Sequence, residues 1–329
     1  MTVDSTEDDL VAREALIRYD FSARTDIRMI NLSENATYLV HDPTTGRDGI
    51  LRVHREGYHP VRSIESELMW LDALRRDAGV ETPISVRARD GARVITVHRE
   101  SRQRHAVLFE KIGGIEPDED AVCATDFKTL GALTARLHRH ARTWRRPRQF
   151  HRFSWDWDHT LGKQPRWGRW QDGIGIGIGE LSHLSEVATL IGQRLRAYGA
   201  SADRFGLVHA DLRLANLLVD DGHINVIDFD DSGFSWYLYD FGSAVSFIED
   251  DPRLPEWRSA WIAGYRDVAT LTSEEEQMLD TFVMLRRFML VAWMGSHSHA
   301  REVQEKGSDY TAGTCELGER YLSSSGASI

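Results

Sequence analysis

The sequence predicts an α+β fold of two lobes. A small N-terminal lobe, residues 1–112, carries an antiparallel sheet plus one helix. A larger, mainly helical C-terminal lobe, residues 113–329, contains one hairpin. Three observations carry this reading. Runs of strand-forming residues at 27–32, 36–41 and 49–54 crowd the early chain, with Asp42-Pro43-Thr44-Thr45-Gly46 as a turn between the last two. Helical periodicity then takes over at 61–77, and a double glycine, Gly113-Gly114, marks a lobe boundary before longer helical stretches. Within those stretches, residues 207–231 switch to strand character around an Asp221-Gly222 turn.

In chain order, an acidic, polar tail precedes a short helix at 11–19, and the three strands follow. The helix at 61–77 begins after Pro60 and buries Ile64, Leu68, Leu71 and Leu74. Glu67 falls on that apolar face and needs a cation, for which Arg52 in the adjoining strand is the candidate. Two further strands are expected near 84–87 and 93–98, and a third over 106–112. Beyond the glycines, 126–140 reads as a helix with Phe127, Leu130, Leu133 and Leu137 on one face. His138 and His140 lie two apart on it and do not share a face, which argues against a metal pair. Residues 144–170 interleave tryptophans with arginines. They read as a helical insertion whose tryptophans pack on the large lobe, with some residues lining a pocket, although such a mixture also suits a flat ligand or nucleic acid. The run Gly173 to Gly179 lacks the Lys-Ser/Thr pair of a phosphate-binding loop and reads as a connector to a helix at 180–197. Helices are expected to start near Trp236 and to occupy 257–265 and 274–297, the last placing Arg286, Leu290, Trp293 and His297 on one side.

The formal charge of −11 over 329 residues opposes a general nucleic-acid binder and leans toward a cationic ligand. Two cysteines make neither a disulfide framework nor a Cys-rich zinc site and suit a reducing compartment. No apolar run reaches the length of a bilayer span, and the N-terminus has no signal-peptide pattern, so a cytoplasmic protein is expected.

Residues 207–231 carry the chemistry. His209 and Asp211 precede Asn216, and the hairpin returns the chain to Asp228-Phe229-Asp230-Asp231. Asp211, Asn216 and Asp228 thus reach one end of a small unit, a set of oxygen donors suited to a hard divalent cation. The order His-x-Asp-x-x-x-x-Asn, then Ile227-Asp228-Phe229-Asp230, then Tyr239-Asp240-Phe241-Gly242, resembles the aminoglycoside phosphotransferase-like and choline kinase-like branch of the protein kinase-like superfamily. The likeness spans nearly the whole chain, and its specific part is about thirty residues long.

The resemblance implies a bilobal protein kinase-like fold, ATP and magnesium as cofactors, and a role for each matching residue. Asp211 is the catalytic base toward an acceptor hydroxyl; Asn216 and Asp228 hold the metal. His209 supports the loop, Asp230 is a second metal contact or a partner of one, and Asp240 braces the loop. In the N-terminal lobe, Ser33, Asn35 and Thr37 occupy the flap over the nucleotide phosphates, without the glycines of protein kinases. Arg52 stands where the family places a phosphate-gripping Lys, paired with Glu67, and backbone groups from Glu110 to Ile112 contact the adenine. Trp293 and His297 wall the acceptor pocket.

Only residues 231–239 separate the metal loop from the bracing helix, which leaves little room for a peptide platform. The expected activity is therefore transfer of the γ-phosphate of ATP to a small hydroxylated molecule: an amino alcohol, a hydroxy amino acid or an aminoglycoside-like compound. A protein Ser/Thr kinase of the stress-response type and a non-catalytic nucleotide-binding protein are the alternatives. The oligomeric state is not legible.

Overall fold

Alternation of buried and exposed residues along the early strands builds a five-stranded antiparallel sheet. The computed structural model describes residues 3–32, 35–100, 102–297 and 300–326. These divide into two units: Met1–Gly113 with Arg146–Arg152, and Gly114–Arg145 with Phe153–Ile329.

In the first unit, β1 (Asp26–Leu32), β2 (Ala36–Asp42), β3 (Arg47–Val53), β4 (Ile95–Arg99) and β5 (Arg102–Glu110) lie in the order β1-β2-β3-β5-β4, every neighbour antiparallel. Tyr38, Val40, Leu51, Val53, Ala106 and Leu108 form the core of one face. That face is covered by α1 (Val3–Leu16) through Val11, Ala12, Ala15 and Leu16. The helix starts eight residues before the expected position, because polar side chains tie its early turns to the sheet: Tyr38 OH donates to Asp9 Oδ1 and Arg104 pairs with buried Asp8. Helix α2 (Val61–Ala73) buries Ile64, Glu67, Leu68 and Leu71 and runs into a π-helical turn, Leu74–Ala78. No regular strand forms at 84–87. Pro83 precedes a segment that makes only one bridge, Ser85 to Phe109, with Val86 N donating to Leu108 O, and removes one amide from any longer ladder.

The second unit is mainly helical, and among the described residues no helix is long and apolar enough to cross a membrane. Helix α3 (Ala124–Thr143) packs on α7 (Leu254–Arg266) through glycines on both sides. A Cβ on Gly131 would lie 2.1 Å from Trp261 O, and one on Gly264 would lie 1.9 Å from Lys128 O, so the two backbones meet without side chains between them. The expected helical insertion is largely irregular: after Phe153 it contains the single turn α4 (Trp157–Thr160) and a 3₁₀ turn, Trp170–Asp172. Pro165, Gly162 and Gly168 interrupt any longer helix. Its tryptophans nevertheless pack: Trp155 and Trp167 are buried with ring centroids 5.0 Å apart, and Trp170 meets Phe288 edge-on at 5.2 Å. The glycine run leads into α5 (Ile178–Tyr198).

Strands β6 (Phe205–Val208) and β9 (Gly233–Trp236) pair with each other, as do β7 (Leu217–Asp220) and β8 (His223–Val226). The latter form the expected hairpin, whose turn needs positive φ at both Asp221 (47°) and Gly222 (80°). Helices α6 (Tyr239–Ala244), α8 (Ser273–Ser296) and α9 (Arg301–Gly326) complete the unit. Sequence periodicity did not reveal α9. It is poor in apolar residues and breaks at Gly307 (φ 47°, ψ −131°), which splits any helical repeat.

The α3–α7 contact generates a stability test. Gly264→Ala is expected to cost about 1–3 kcal/mol, since backbone rather than a flexible side chain occupies the space, and urea denaturation reads the loss. A variant as stable as the parent would show that these helices stand further apart.

Candidate active site

The second unit's site begins with an unusual backbone. Ala210 adopts φ 71° and Asp228 φ 59°, left-handed conformations that non-glycine residues rarely take. For Ala210 the compensation is visible in Asp240, at the start of α6. Asp240 Oδ1 accepts from Ala210 N at 2.7 Å and Oδ2 accepts from His209 N at 3.1 Å. Ser243 Oγ accepts from Leu212 N at 3.0 Å, so one short helix holds three backbone amides of the loop. Asp240 in turn receives His138 Nε2 at 3.0 Å, and His138 Nδ1 faces Tyr265 OH at 3.0 Å. This arrangement places the ring proton on Nε2 and lets the phenol donate to Nδ1. The close α3–α7 packing therefore supplies the two residues that support the bracing carboxylate.

His209 links the two ends of the stretch. Its Nδ1 accepts from Asp211 N at 3.2 Å, its Nε2 faces Ile227 O at 3.1 Å, and its ring lies 4.3 Å from that of Phe229. Ile227 N donates to Asn216 O at 3.0 Å, tying β8 to the 3₁₀ turn Leu214–Asn216. Asn216 Nδ2 donates to Asp211 O (2.8 Å) and Asp211 Oδ2 (2.6 Å). The amide nitrogen is thereby committed to Asp211, which leaves the amide oxygen as the atom of this side chain able to act as a ligand. Asp228 and Asp230 flank Phe229 at the 3₁₀ turn Phe229–Asp231, Asp230 being buried. Trp155 Nε1 donates to Asp231 O at 2.8 Å, and Trp155 N to Phe234 O at 2.7 Å, so the tryptophan segment is fastened directly to the chain leaving Asp228.

Two arginines flank Asp211. Arg286 Nη2 donates to Oδ1, and Arg213 Nε stands 3.7 Å from Oδ2 while pairing through Nη1 with Glu302 of α9. Burial pushes the Asp211 carboxyl up, but the charges of Arg286 and then Arg213 outweigh it and hold the group below its ordinary 3.8. Asp211 is ionised at neutral pH, ready to accept a hydrogen bond. Arg213, Arg286 and Glu302 were not found from sequence as site residues. The position of Arg213, two after Asp211, was the only available signal; the partners on α8 and α9 are distant in sequence.

Among the described residues no group of three or more His, Cys, Asp or Glu side chains could hold a metal ion. One carboxylate and one amide oxygen still fit magnesium, which takes its remaining ligands from phosphates and water. Trp293 on α8 and His297 just past its end, both buried, stack on each other at 4.8 Å and 13°.

In the first unit, Arg52 on β3 and Glu67 on α2 form a buried ion pair, with Arg52 Nη2 2.7 Å from each carboxylate oxygen. Phe109 lies 5.2 Å from the guanidinium. Asn35 is buried and its Oδ1 accepts from Arg55 N at 3.2 Å, joining the ends of β2 and β3. Thr37, paired with Arg52 in the ladder, lies on β2. Ser33 lies outside the described residues. Glu110 ends β5, its amide donating to Ile84 O at 2.9 Å, and Ile112 follows it, half-buried.

The model of the phosphotransferase enzyme family matches residues 27–277. A solved structure of the microcompartment-associated aminopropanol kinase is 55% identical in sequence, with a TM-score of 0.89 covering 96% of this chain and 98% of that one. Amicoumacin kinase hAmiN, solved in complex with AMP-PNP, Ca2+ and Ami, gives 21% identity and a TM-score of 0.78 over 97% of this chain and 95% of that one. Amicoumacin kinase of Bacillus subtilis (strain 168) is 23% identical over 314 residues, 92% of this chain and 89% of the relative.

The His138–Asp240 contact has a pH signature. Burial lowers the His138 pKa from its ordinary 6.5, against the opposing pull of Asp240 and with added repulsion from Arg142. The unfolded chain therefore takes up this proton first as pH falls. The stability tied to neutral His138 is whole above about pH 7 and drains away as pH drops through about 6.5. His138→Gln is expected to be less stable at pH 7.5 yet to lose less on going to pH 5.5, as read by urea midpoints at both values. The difference from the parent isolates His138 from His105 and His151, whose pKa values burial also lowers.

Proposed function

Because the chain belongs to the phosphotransferase enzyme family and is a kinase with an alcohol group as acceptor, we propose that it moves the γ-phosphate of ATP onto the hydroxyl of a small amino alcohol of the aminopropanol kind. The observation that carries the choice of acceptor is the 55% identity, over 96% of the chain, to the aminopropanol kinase. The formal charge of −11 agrees with a cationic acceptor.

In this reading Asp211 is the general base. Its carboxylate, ionised and fixed at both oxygens, accepts the proton of the acceptor hydroxyl as that oxygen bonds to the γ-phosphorus. The bond from phosphorus to the β–γ bridging oxygen breaks in line, and ADP leaves. Kinase transition states have much dissociative character, so Asp211 needs to orient the hydroxyl more than to be strongly basic, and its lowered pKa is no obstacle. Asn216 Oδ1 and Asp228 would hold magnesium, which when bound neutralises charge on the phosphates. His209 and Asp240 keep these three residues in register. In the first unit, Arg52, restrained by Glu67, supplies permanent positive charge to the phosphates. The carbonyl of Glu110 and the amide of Ile112 serve the adenine.

The expected outcome with magnesium-ATP is efficient transfer to aminopropanol, weaker transfer to ethanolamine, and little to propanediol or a generic protein. Asp211→Asn should lower kcat by about 10²–10⁴-fold, and Asp228→Asn should raise the magnesium concentration needed for half-maximal rate. Label appearing on protein instead, or turnover unchanged in Asp211→Asn, would overturn the reading.

A further inference from the structure

Arg286 sits in the middle of α8 with 2% of its surface exposed. A guanidinium buried this deeply carries a large desolvation penalty, and a packed leucine or methionine would serve helix packing at lower cost. The residues around it explain why a cation stands there. Nε donates to Ser246 Oγ at 2.9 Å, Nη1 to Ala210 O at 3.3 Å and Tyr239 OH at 3.2 Å, and Nη2 to Asp211 Oδ1. The Trp167 ring closes another side, 5.1 Å from the guanidinium carbon. The parts of this cage are each held elsewhere: Tyr239 opens α6, Ala210 belongs to the loop that Asp240 braces, and Trp167 packs on Trp155.

The consequence falls on the carboxylate. Asp211 Oδ1 is taken by Arg286, and Oδ2 by Asn216 Nδ2 at 2.6 Å. The terminal torsion of an aspartate is broad and has no strong preference of its own, so an unrestrained Asp211 would sample many orientations. Donors at both oxygens remove that freedom and leave fixed lone pairs for the acceptor hydroxyl.

We propose that Arg286 is the positioning residue of the phosphoryl-transfer reaction: from α8 it locks the rotation of the Asp211 carboxylate, so that the acceptor hydroxyl meets a preset lone pair. Arg286 acts through Asp211 and does not touch the acceptor. The assignment rests on the reading of Asp211 as the base.

The test measures kcat and KM for aminopropanol and for ATP in Arg286→Gln, Arg286→Lys, Asp211→Asn and the Asp211→Asn/Arg286→Gln double variant, with thermal midpoints alongside. Arg286→Gln is expected to lower kcat by about 100-fold, the usual cost of a small misplacement at the reacting centre, with both KM values little changed. Arg286→Lys recovers part of the rate, because an ammonium supplies the charge without the planar fork. In the Asp211→Asn background, with residual turnover followed at enzyme excess, Arg286→Gln costs nothing further, as expected of residues that act as one unit. Should Arg286→Gln fail to fold, Tyr239→Phe and Ser246→Ala each remove one anchor of the guanidinium without unpairing a charge, and each is expected to reduce kcat severalfold at unchanged KM. Full turnover in folded Arg286→Gln, an undiminished loss in the double variant, or a change confined to the acceptor KM would each overturn the positioning role. Wild-type turnover in Asp211→Asn would instead overturn the base assignment, which separates the two failures.

Discussion

Asp240 is the carboxylate on which the second unit's chemistry depends. It takes the amides of His209 and Ala210, and the second of these belongs to a residue at positive φ that would relax toward ordinary geometry without it. A left-handed alanine costs on the order of 1–2 kcal/mol, and two charge-assisted hydrogen bonds can outweigh that. The direction in which Asp211 leaves the backbone is thus decided by a residue about thirty positions later in the chain. Asp240 is itself fully buried, which is tolerable because every contact it makes is a donor: two amides and the Nε2 proton of His138. Support then passes through His138 to Tyr265 and so to the glycine-lined contact of α3 with α7. A packing contact with no chemistry of its own is in this way a condition for the geometry of the loop from His209 to Asn216.

The parts legible in the sequence share a property. The loop from His209 to Asn216, the Asp221-Gly222 turn and the segment at Asp228 are close together in the chain, so fixed spacing encodes their geometry. Glu67 could be placed because a carboxylate on the apolar face of a helix demands a cation, and Arg52 is the cation beside it. Helix α3 was visible through its apolar periodicity, and α5, α7 and α8 as helical stretches. What was missed depends on contacts between distant residues. Arg286 was seen only as a member of a helix face, because nothing local says that its guanidinium reaches Asp211, 75 residues earlier. Glu302 lies on α9, whose own periodicity is broken at Gly307. The strand expected at 84–87 shrinks to a bridge for a similar reason: apolar residues promise a strand, but length is set by which edge of β5 is still unpaired, and β4 already covers residues 102–106.

The tryptophan segment reads from composition as packing on the large lobe, and a flat ligand or nucleic acid is the alternative that interleaved arginines and tryptophans also suit. In the second unit they satisfy one another instead: the Arg166 guanidinium lies 3.8 Å from the Phe153 ring and 5.3 Å from that of Trp155. Trp155 holds the backbone of Asp231, and Trp167 covers Arg286. The segment's contribution is to fix the surroundings of two charged side chains, which aromatic faces do well because they fill space, attract a cation and leave its remaining protons to hydrogen-bond elsewhere.

The adjacent arginines of α8 bring these threads together. Successive residues of a helix diverge by about 100°, so Arg286 and Arg287 cannot serve the same partner. Arg286 reaches Asp211. Arg287 turns to Glu249, 2.6 Å from Nη1, and to α9 through Tyr310 O and Thr314 Oγ1 at 3.1 and 2.9 Å, while Tyr310 OH donates to Glu249 Oε1 at 2.9 Å. Gly313 has no side chain where a Cβ would stand 2.9 Å from Arg287 Nη2, so α9 can come this near. Buried ion pairs add little net stability, but each tolerates only one arrangement, because a slipped helix would strand a charge. One turn of α8 therefore fixes two registers at once, that of Asp211 and that of α9, which carries Glu302 to Arg213. The cost of burying two guanidinium groups side by side is offset by geometry that apolar packing alone would leave free to slide.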